Sequence, residues 1–121
     1  MIEAAVSKVD QARTCMTVEP GVCGFICRVT AQPAGKRAVS LSIEDSECRQ
    51  IQQMAEKIRE LTLKELFTPI SRNPVYQAAQ QSGCHASCVI PAAVLKTVEV
   101  AMGMAVPRDV RMAFESCEES R

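Results

Sequence analysis

Cysteine is the residue type in this 121-residue chain that is best suited to chemistry. The chain has seven: Cys15, Cys23, Cys27, Cys48, Cys84, Cys88 and Cys117. An odd number of thiols cannot all pair internally, and a chain of this length can build a core without cross-links. The first residues lack the basic start and apolar run of a secretory signal, so we expect a reducing, cytoplasmic compartment. These features favour a metal ion or iron–sulfur cluster, reactive thiols or buried apolar cysteines over disulfides.

The densest group is Cys84-His85-Ala86-Ser87-Cys88, which contains the only histidine. Its Cys-x3-Cys spacing lies within the gap of two to four residues common at zinc sites. A loop that bends into a helix start can bring Cys84 and Cys88 together, so both are predicted metal ligands. His85 is a further candidate, although a lone histidine is more often a surface residue. A reversible disulfide between the two thiols is the alternative.

Cys23 stands between Gly21 and Gly24, and flanking glycines let a backbone approach a ligand closely. We predict that Cys23 is a ligand; the alternative is a turn with a buried cysteine. Cys27 follows four residues later. If a strand begins at Cys23, the two residues are about 13 Å apart at about 3.3 Å per residue, too far to share one metal. Cys27 is therefore interpreted as a core residue.

Cys48 is predicted to lie in the first turn of a helix, where free N–H groups and the helix dipole favour a thiolate. It also continues an apolar stripe, so a core role is equally open. Cys15 and Cys117 lie in polar segments and are interpreted as incidental thiols.

The elements that position these thiols follow from the hydrophobic pattern. Residues 23–31 and 38–44 alternate around a turn and predict a hairpin. Residues 2–9 predict a first strand and residues 110–114 a last one. Four further signals predict helix starts: Asp45 or Ser46 as a cap, a Thr62–Glu65 capping box, Asn73-Pro74, and Ser87 before a helix that runs to about Met102.

Strands, then helices, then one strand predict an α+β fold. We expect one domain over residues 1–121, with a frayed tail at 116–121. Its small, mainly antiparallel sheet would combine the hairpin and the C-terminal strand, with three to four helices on one face. The nearly matched arms of the hairpin place Cys23 and Cys48 at one end of this sheet. If the last helix begins there, Cys88 joins them, and three or four thiolates would suit tetrahedral zinc or an iron–sulfur cluster.

Composition excludes several partners. Acidic and basic residues balance at 14 each, and aromatics make up only 3%, so nucleic acid is not expected. No apolar stretch reaches the roughly 20 residues of a membrane span. Met102 and Met104 beside Gly103 could form an adaptable apolar patch for a protein partner or a second copy. A partner-binding or dimerising module with core cysteines therefore remains an alternative, and no motif indicates whether the protein is an enzyme.

Three segments carry a resemblance to a known family: Val22-Cys23-Gly24-Phe25, Asp45-Ser46-Glu47-Cys48 and His85-Ala86-Ser87-Cys88-Val89-Ile90-Pro91. The chain resembles small uncharacterised proteins from anaerobic bacteria and archaea, a domain of unknown function with a Cys-Gly-Phe turn and a His-x-x-Cys-Pro-x-Pro segment. Val89 stands where that segment has its first proline. The resemblance implies no known reaction. It implies that Cys23, Cys48, His85 and Cys88 are stronger candidates for functional residues than Cys27, Cys15 and Cys117.

Overall fold

Four antiparallel strands form the frame of the domain in a computed structural model, which describes residues 13–117. They are β1 Thr14–Val18, β2 Cys27–Pro33, β3 Ala38–Glu44 and β4 Glu60–Thr62, and they lie side by side in chain order. The strand predicted at residues 2–9 and the last residues of the predicted frayed tail lie outside the described residues.

The predicted hairpin is confirmed as β2 and β3, with Arg28 opposite Glu44 at one end and Pro33 opposite Val39 at the other. Strand β2, the first strand of this hairpin, begins at Cys27 and not at the predicted residue 23. The reason is a glycine turn over residues 21–26. Gly21 and Gly24 adopt φ angles of +99° and +70°, which are open to glycine and strained for other residues. The N–H of Gly24 donates to the carbonyl of Gly21 at 2.9 Å, which closes the turn.

The two faces of the sheet differ in polarity. Val29, Ala31 and Val39 are fully buried on the inner face, whereas Cys15 and Arg28 are exposed on the outer face. Strand β1 occupies a segment that the sequence indicated to be polar and irregular. Only two of its five residues, Met16 and Val18, are strongly apolar, which is too few to predict a strand from alternation alone.

Helices pack against the inner face, so the α+β class and the one-sided helical layer are confirmed. The helices are α1 Arg49–Lys57, α2 Leu63–Leu66, α3 Pro74–Gln81 and α4 Ile90–Ala101, with a short 3-10 helix at Ile70–Arg72. Met54 of α1 and Val94 and Val98 of α4 are completely buried against the sheet. None of the helices in the described part of the chain is long and apolar enough to cross a membrane.

Two predicted helix starts are confirmed at the level of hydrogen bonds. Thr62 Oγ1 accepts from the N–H of Glu65 at 3.2 Å, and the Glu65 carboxylate accepts from the N–H of Thr62 at 3.0 Å, which is a capping box. Asn73 Oδ1 accepts from the N–H of Val75 at 3.0 Å, with Pro74 in the first turn of α3.

The other two predicted starts are displaced. Helix α1 has Cys48 as its N-cap, while Asp45 adopts a positive φ of 68° before it. Helix α4 begins at Ile90, three residues beyond Ser87, and its N-cap makes no side-chain hydrogen bond. The N-caps of α1 and α4 make no side-chain capping hydrogen bond, unlike those of α2 and α3.

The predicted C-terminal strand is wrong. Residues 104–117 contain no helix or strand, and each of them is exposed. Val110, Met112 and Phe114 do alternate as expected, but they are 57%, 80% and 107% exposed. Alternation predicts that a segment can form a strand; it does not supply a neighbouring edge for that strand.

Candidate functional site

Five of the seven cysteines lie at one end of the molecule, where β2 begins, β3 ends and α1 and α4 begin. We call Cys23, Cys27, Cys48, Cys84 and Cys88 the thiol pole. Because β2 and β3 are antiparallel and Arg28 pairs with Glu44, the start of β2 is at the same end as the residues that follow β3. Three separate segments of the chain contribute these thiols: residues 23–27, Cys48, and residues 84–88.

Burial and neighbouring charges raise the pKa of three of these thiols. The pKa of Cys27 is raised first by burial and then by charge on Cys88, Cys48, Asp45 and Cys23. The pKa of Cys84 is raised by burial and then by charge on Cys88 and Cys48. Cys88 is coupled to each of the other four thiols and Cys48 to three of them, so these two form the centre of the thiol pole.

Cys48 is half-buried as the N-cap of α1. Its backbone N–H donates to Ser46 Oγ at 3.1 Å, and its thiol donates to Gln50 Oε1 at 3.3 Å. The thiol therefore lies at the open N-terminus of α1 and is also held by a polar neighbour. Cys48 also packs against the hydrophobic core, so the core role that the sequence left open is confirmed, and its role as a ligand stays a prediction.

Cys84 and Cys88 enclose the short link between α3 and α4. Gly83 ends α3 with a φ of +75°, and the N–H of Cys84 donates to the carbonyl of Ala79 at 3.0 Å. The N–H of Cys88 donates to the carbonyl of His85 at 3.0 Å, which turns the link back on itself. The two cysteines thus lie at the two ends of this turn, and charge on Cys88 contributes to the raised pKa of Cys84.

Burial controls the protonation of these two thiols. It raises the pKa of Cys84 to about 11. It also raises the pKa of Cys88, partly opposed by the backbone N–H of Ile90, which favours the thiolate. In the absence of a cation, both groups are therefore neutral thiols at pH 7.

Cys27 is a core residue, as the sequence argument predicted, and it also lies at the thiol pole, although the assumption behind that argument was wrong. That argument assumed an extended strand from Cys23 to Cys27, and the glycine turn removes this assumption. Cys27 is completely buried, and burial raises the pKa of its thiol to about 11. No local sequence signal marks Cys27; only the turn conformation reveals that it lies beside Cys23 and Cys88.

Two acidic residues, Asp45 and Glu47, lie beside the glycine turn at the margin of the pole. Cys23 itself is exposed within this turn. A shallow depression of about 220 Å³ lies next to it, lined by Gly24, Phe25, Ile26, Asp45 and Glu47.

The remaining candidates lie outside the centre of the pole. The side chain of His85 is exposed, and only its backbone carbonyl takes part in the turn. Cys15 is exposed on the outer face of the sheet, and Cys117 is exposed near the end of the described chain.

The arrangement is a group of neighbouring cysteines rather than a formed metal-ligand shell. Among residues 13–117, no three histidine, cysteine, aspartate or glutamate side chains are arranged so that they could hold a metal ion. Cys48, Cys84 and Cys88 instead pack against the hydrophobic core as half-buried apolar groups. Coordination would require loss of the thiol protons and convergence of the side chains, because the ligand is the thiolate.

Comparison with known proteins gives no functional name. No curated protein and no solved structure shows a significant match. One family model matches residues 14–114, which includes the whole thiol pole and all described strands and helices. The chain therefore belongs to the family of unknown function DUF6951.

Proposed function

We propose that this protein binds a metal ion or iron–sulfur cluster through Cys23, Cys48, Cys84 and Cys88. The observation that supports the proposal is the gathering of thiols from three segments at one end of the sheet, with an electrostatic interaction between Cys88 and each of the others. A buried apolar role would explain any one of these cysteines. It does not explain why five of seven lie together while Cys15 and Cys117 lie elsewhere.

The chemistry of the pole suits a cation. Burial and neighbouring thiols oppose the formation of thiolates at Cys84 and Cys88, and a divalent ion would offset both effects. The unpaired N–H groups at the starts of α1 and α4 would stabilise the remaining negative charge. The same raised pKa values count against a free-thiol redox function for Cys84 and Cys88, because attack on a disulfide requires a thiolate.

Cys23 is the proposed fourth ligand because its glycine turn can close over the pole from outside. Cys27 lies beneath, in the core, and His85 points to solvent and is the weaker alternative. Four thiolates fit zinc and an iron–sulfur cluster equally. An origin in anaerobic bacteria or archaea, which the family resemblance implies, and a cytoplasmic location would both suit an oxygen-sensitive cluster.

Elemental analysis with an absorption spectrum tests the proposal on protein purified without oxygen or chelator. About one zinc per chain, or iron with acid-labile sulfide, is the expected result. Cys48→Ser and Cys88→Ser should each lose the metal. Cys117→Ser is the matched control, because this exposed thiol lies outside the pole and its loss should leave the metal content unchanged.

Protein that contains no zinc or iron and takes up neither in reconstitution would refute the proposal. Equal metal content in Cys88→Ser and Cys117→Ser would also refute it, since Cys88 is the thiol coupled to every other member of the pole.

A further inference from the structure

Three glutamines near the start of α1 differ in what their side chains contact. Gln52 donates from Nε2 to the carbonyl of Ser46 at 2.9 Å, so it holds the backbone that leads into the helix. Gln53 is exposed. Gln50 is half-buried, and its Oε1 accepts from the thiol of Cys48 at 3.3 Å. Gln50 is therefore the glutamine of this helix that hydrogen-bonds a sulfur of the thiol pole.

The side chain of Gln50 also connects two of the segments that form the pole. Its amide contacts Cys48, the N-cap of α1, while its Cγ lies beside Gly83 at the end of α3. A Cβ added to Gly83 would lie 3.9 Å from that Cγ, which is an ordinary packing distance. Cys84 follows Gly83 directly. Packing therefore orients the stem of Gln50 so that its amide lies at the sulfur.

The backbone of Cys48 is held separately from its sulfur. Its N–H donates to Oγ of the buried Ser46 at 3.1 Å, and its carbonyl accepts from the N–H of Gln52 at 3.0 Å. Neither bond involves the thiol. Within residues 13–117, Gln50 is the side chain that hydrogen-bonds the Cys48 sulfur. The loss of Ser46 and the loss of Gln50 should therefore have different consequences.

The amide of Gln50 is suited to both chemical states of this sulfur. A thiol donates one hydrogen bond, as Cys48 does here to Oε1. A metal-bound cysteine is a thiolate, which only accepts, so its hydrogen-bond partner must be a donor. An amide carries an acceptor oxygen and a donor NH2 group on one carbon, and rotation about the terminal torsion exchanges their positions. Gln50 uses only its oxygen in this contact, which leaves its N–H groups for the second state.

We propose that Gln50 is a positioning residue for Cys48 in the metal site. Its amide accepts from the thiol before metal binds and donates to the sulfur afterwards. The inference rests on the proposed function and adds a residue outside its set of ligands. Groups that hydrogen-bond a ligand orient it and tune the metal centre, and their loss commonly reduces metal affinity by about 10- to 100-fold.

The test is titration of the reduced full chain with zinc and with cobalt(II) in the absence of oxygen. Cobalt(II) is a spectroscopic probe, because its charge-transfer band reports the electron density on the ligand sulfur. Gln50→Leu removes the donor, so zinc affinity should fall about tenfold or more. At saturating cobalt(II) the band should move to longer wavelength, because the sulfur becomes more electron-rich. Gln50→Lys supplies a donor again and should bind zinc more tightly than Gln50→Leu.

Matched controls separate this role from a structural one. Gln53→Leu and Gln53→Lys make the same changes at an exposed position of α1 and should alter neither the zinc affinity nor the band. Ser46→Ala removes the acceptor for the Cys48 N–H, so it should lower the urea midpoint of the metal-free protein without moving the band at saturation.

The outcomes distinguish the inference from the proposed function. If Gln50→Leu matches Gln53→Leu in zinc affinity and in the cobalt band, the inference is wrong and the proposed function stands. A band shift in Ser46→Ala as large as that in Gln50→Leu would also overturn the inference, because it would assign the effect to the backbone. An unmodified chain that takes up neither metal would overturn the proposed function, and the inference with it.

Discussion

The guanidinium of Arg28 donates a hydrogen bond from Nη2 to Sγ of Cys15 at 3.4 Å, across the pair formed by β1 and β2. The hydroxyl of Thr30, directly opposite Cys15, lies 3.8 Å from the same sulfur. These contacts, led by that of Arg28, lower the pKa of Cys15 from its usual value. The thiol that the sequence indicated to be incidental is thus the one whose surroundings favour a thiolate in the metal-free protein.

Cys15 is expected to be the fastest thiol to react with iodoacetamide. Its lowered pKa means that the thiolate persists to lower pH, so the midpoint of its rate–pH profile should lie below the ordinary value for a cysteine thiol. Arg28→Gln should move this midpoint upward and slow alkylation at pH 7 by about threefold or more. Fragmentation mass spectrometry of the tryptic peptides 14–28 and 112–121 measures both rates in one sample, because fragmentation distinguishes Cys15 from Cys23 and Cys27. Equal rates for Cys15 and Cys117 in the unmodified chain would contradict the prediction.

Zinc binding at the thiol pole should release protons and strengthen with pH. Cys84 has a pKa of about 11 and the pKa of Cys88 is raised, so both hold their protons at pH 7 in the metal-free protein. Each must lose its proton to become a ligand, and the apparent affinity should therefore rise about tenfold per pH unit for each proton released. Competition with a chromophoric chelator between about pH 6.5 and about pH 8.5 measures this slope. Tight binding with no pH dependence would show that zinc is held by groups other than these thiols.

Substitution of Cys27 should lower the stability and spare the metal content, whereas substitution of Cys23 should lower the metal content and spare the stability. Cys27 is completely buried, so Cys27→Ala should lower the free energy of unfolding by about 1–2 kcal/mol and leave the metal content near that of the unmodified chain. Cys23 is exposed, so Cys23→Ser should leave the stability of the metal-free protein unchanged. The same variant, purified without chelator, should contain less metal than the unmodified chain. Urea denaturation in chelator and elemental analysis measure the two effects. Metal loss in Cys27→Ala alone would identify Cys27, rather than Cys23, as the ligand.

Asn73 is expected to be a critical polar residue of the core. It is 2% exposed; its Oδ1 caps α3, and its Nδ2 donates to the carbonyls of Glu65 and Thr68, both at 3.1 Å. Asn73→Ala removes the cap and leaves buried carbonyls unpaired, which should cost about 2–4 kcal/mol of unfolding free energy. Asn73→Asp keeps the acceptor and loses the donor, so its effect should be intermediate. Urea denaturation with an unchanged m value measures each loss.

Ser82 provides the contrasting case. It is 5% exposed, and within residues 13–117 its hydroxyl has no hydrogen-bond partner. Ser82→Ala removes an unpaired buried hydroxyl, so the free energy of unfolding should stay the same or rise by up to about 1 kcal/mol. A loss as large as that of Asn73→Ala would show that the Ser82 hydroxyl has a partner in solution.

Local patterns were sufficient to predict much of the fold. The β2–β3 hairpin, the Thr62–Glu65 capping box and the Asn73-Pro74 start of α3 depend on residues close in sequence, so their signals are visible without a structure. The same reasoning was wrong at residues 110–114, where alternation was correct but no neighbouring strand was present. A strand requires an edge, and the edge is a property of the whole sheet.

Some features of the candidate site could likewise be predicted from local sequence, and others could not. Residue type alone singled out cysteine, and helix starts indicated Cys48 and Cys88. The membership of Cys27 depended on two positive φ angles in the glycine turn, and the lowered pKa of Cys15 depended on Arg28, thirteen residues away. Sequence therefore determined which groups can react and which segments form helices or the hairpin, because those properties are local. Tertiary structure determined which thiols meet and which carry protons, because proximity, burial and charge arise only when distant segments pack together.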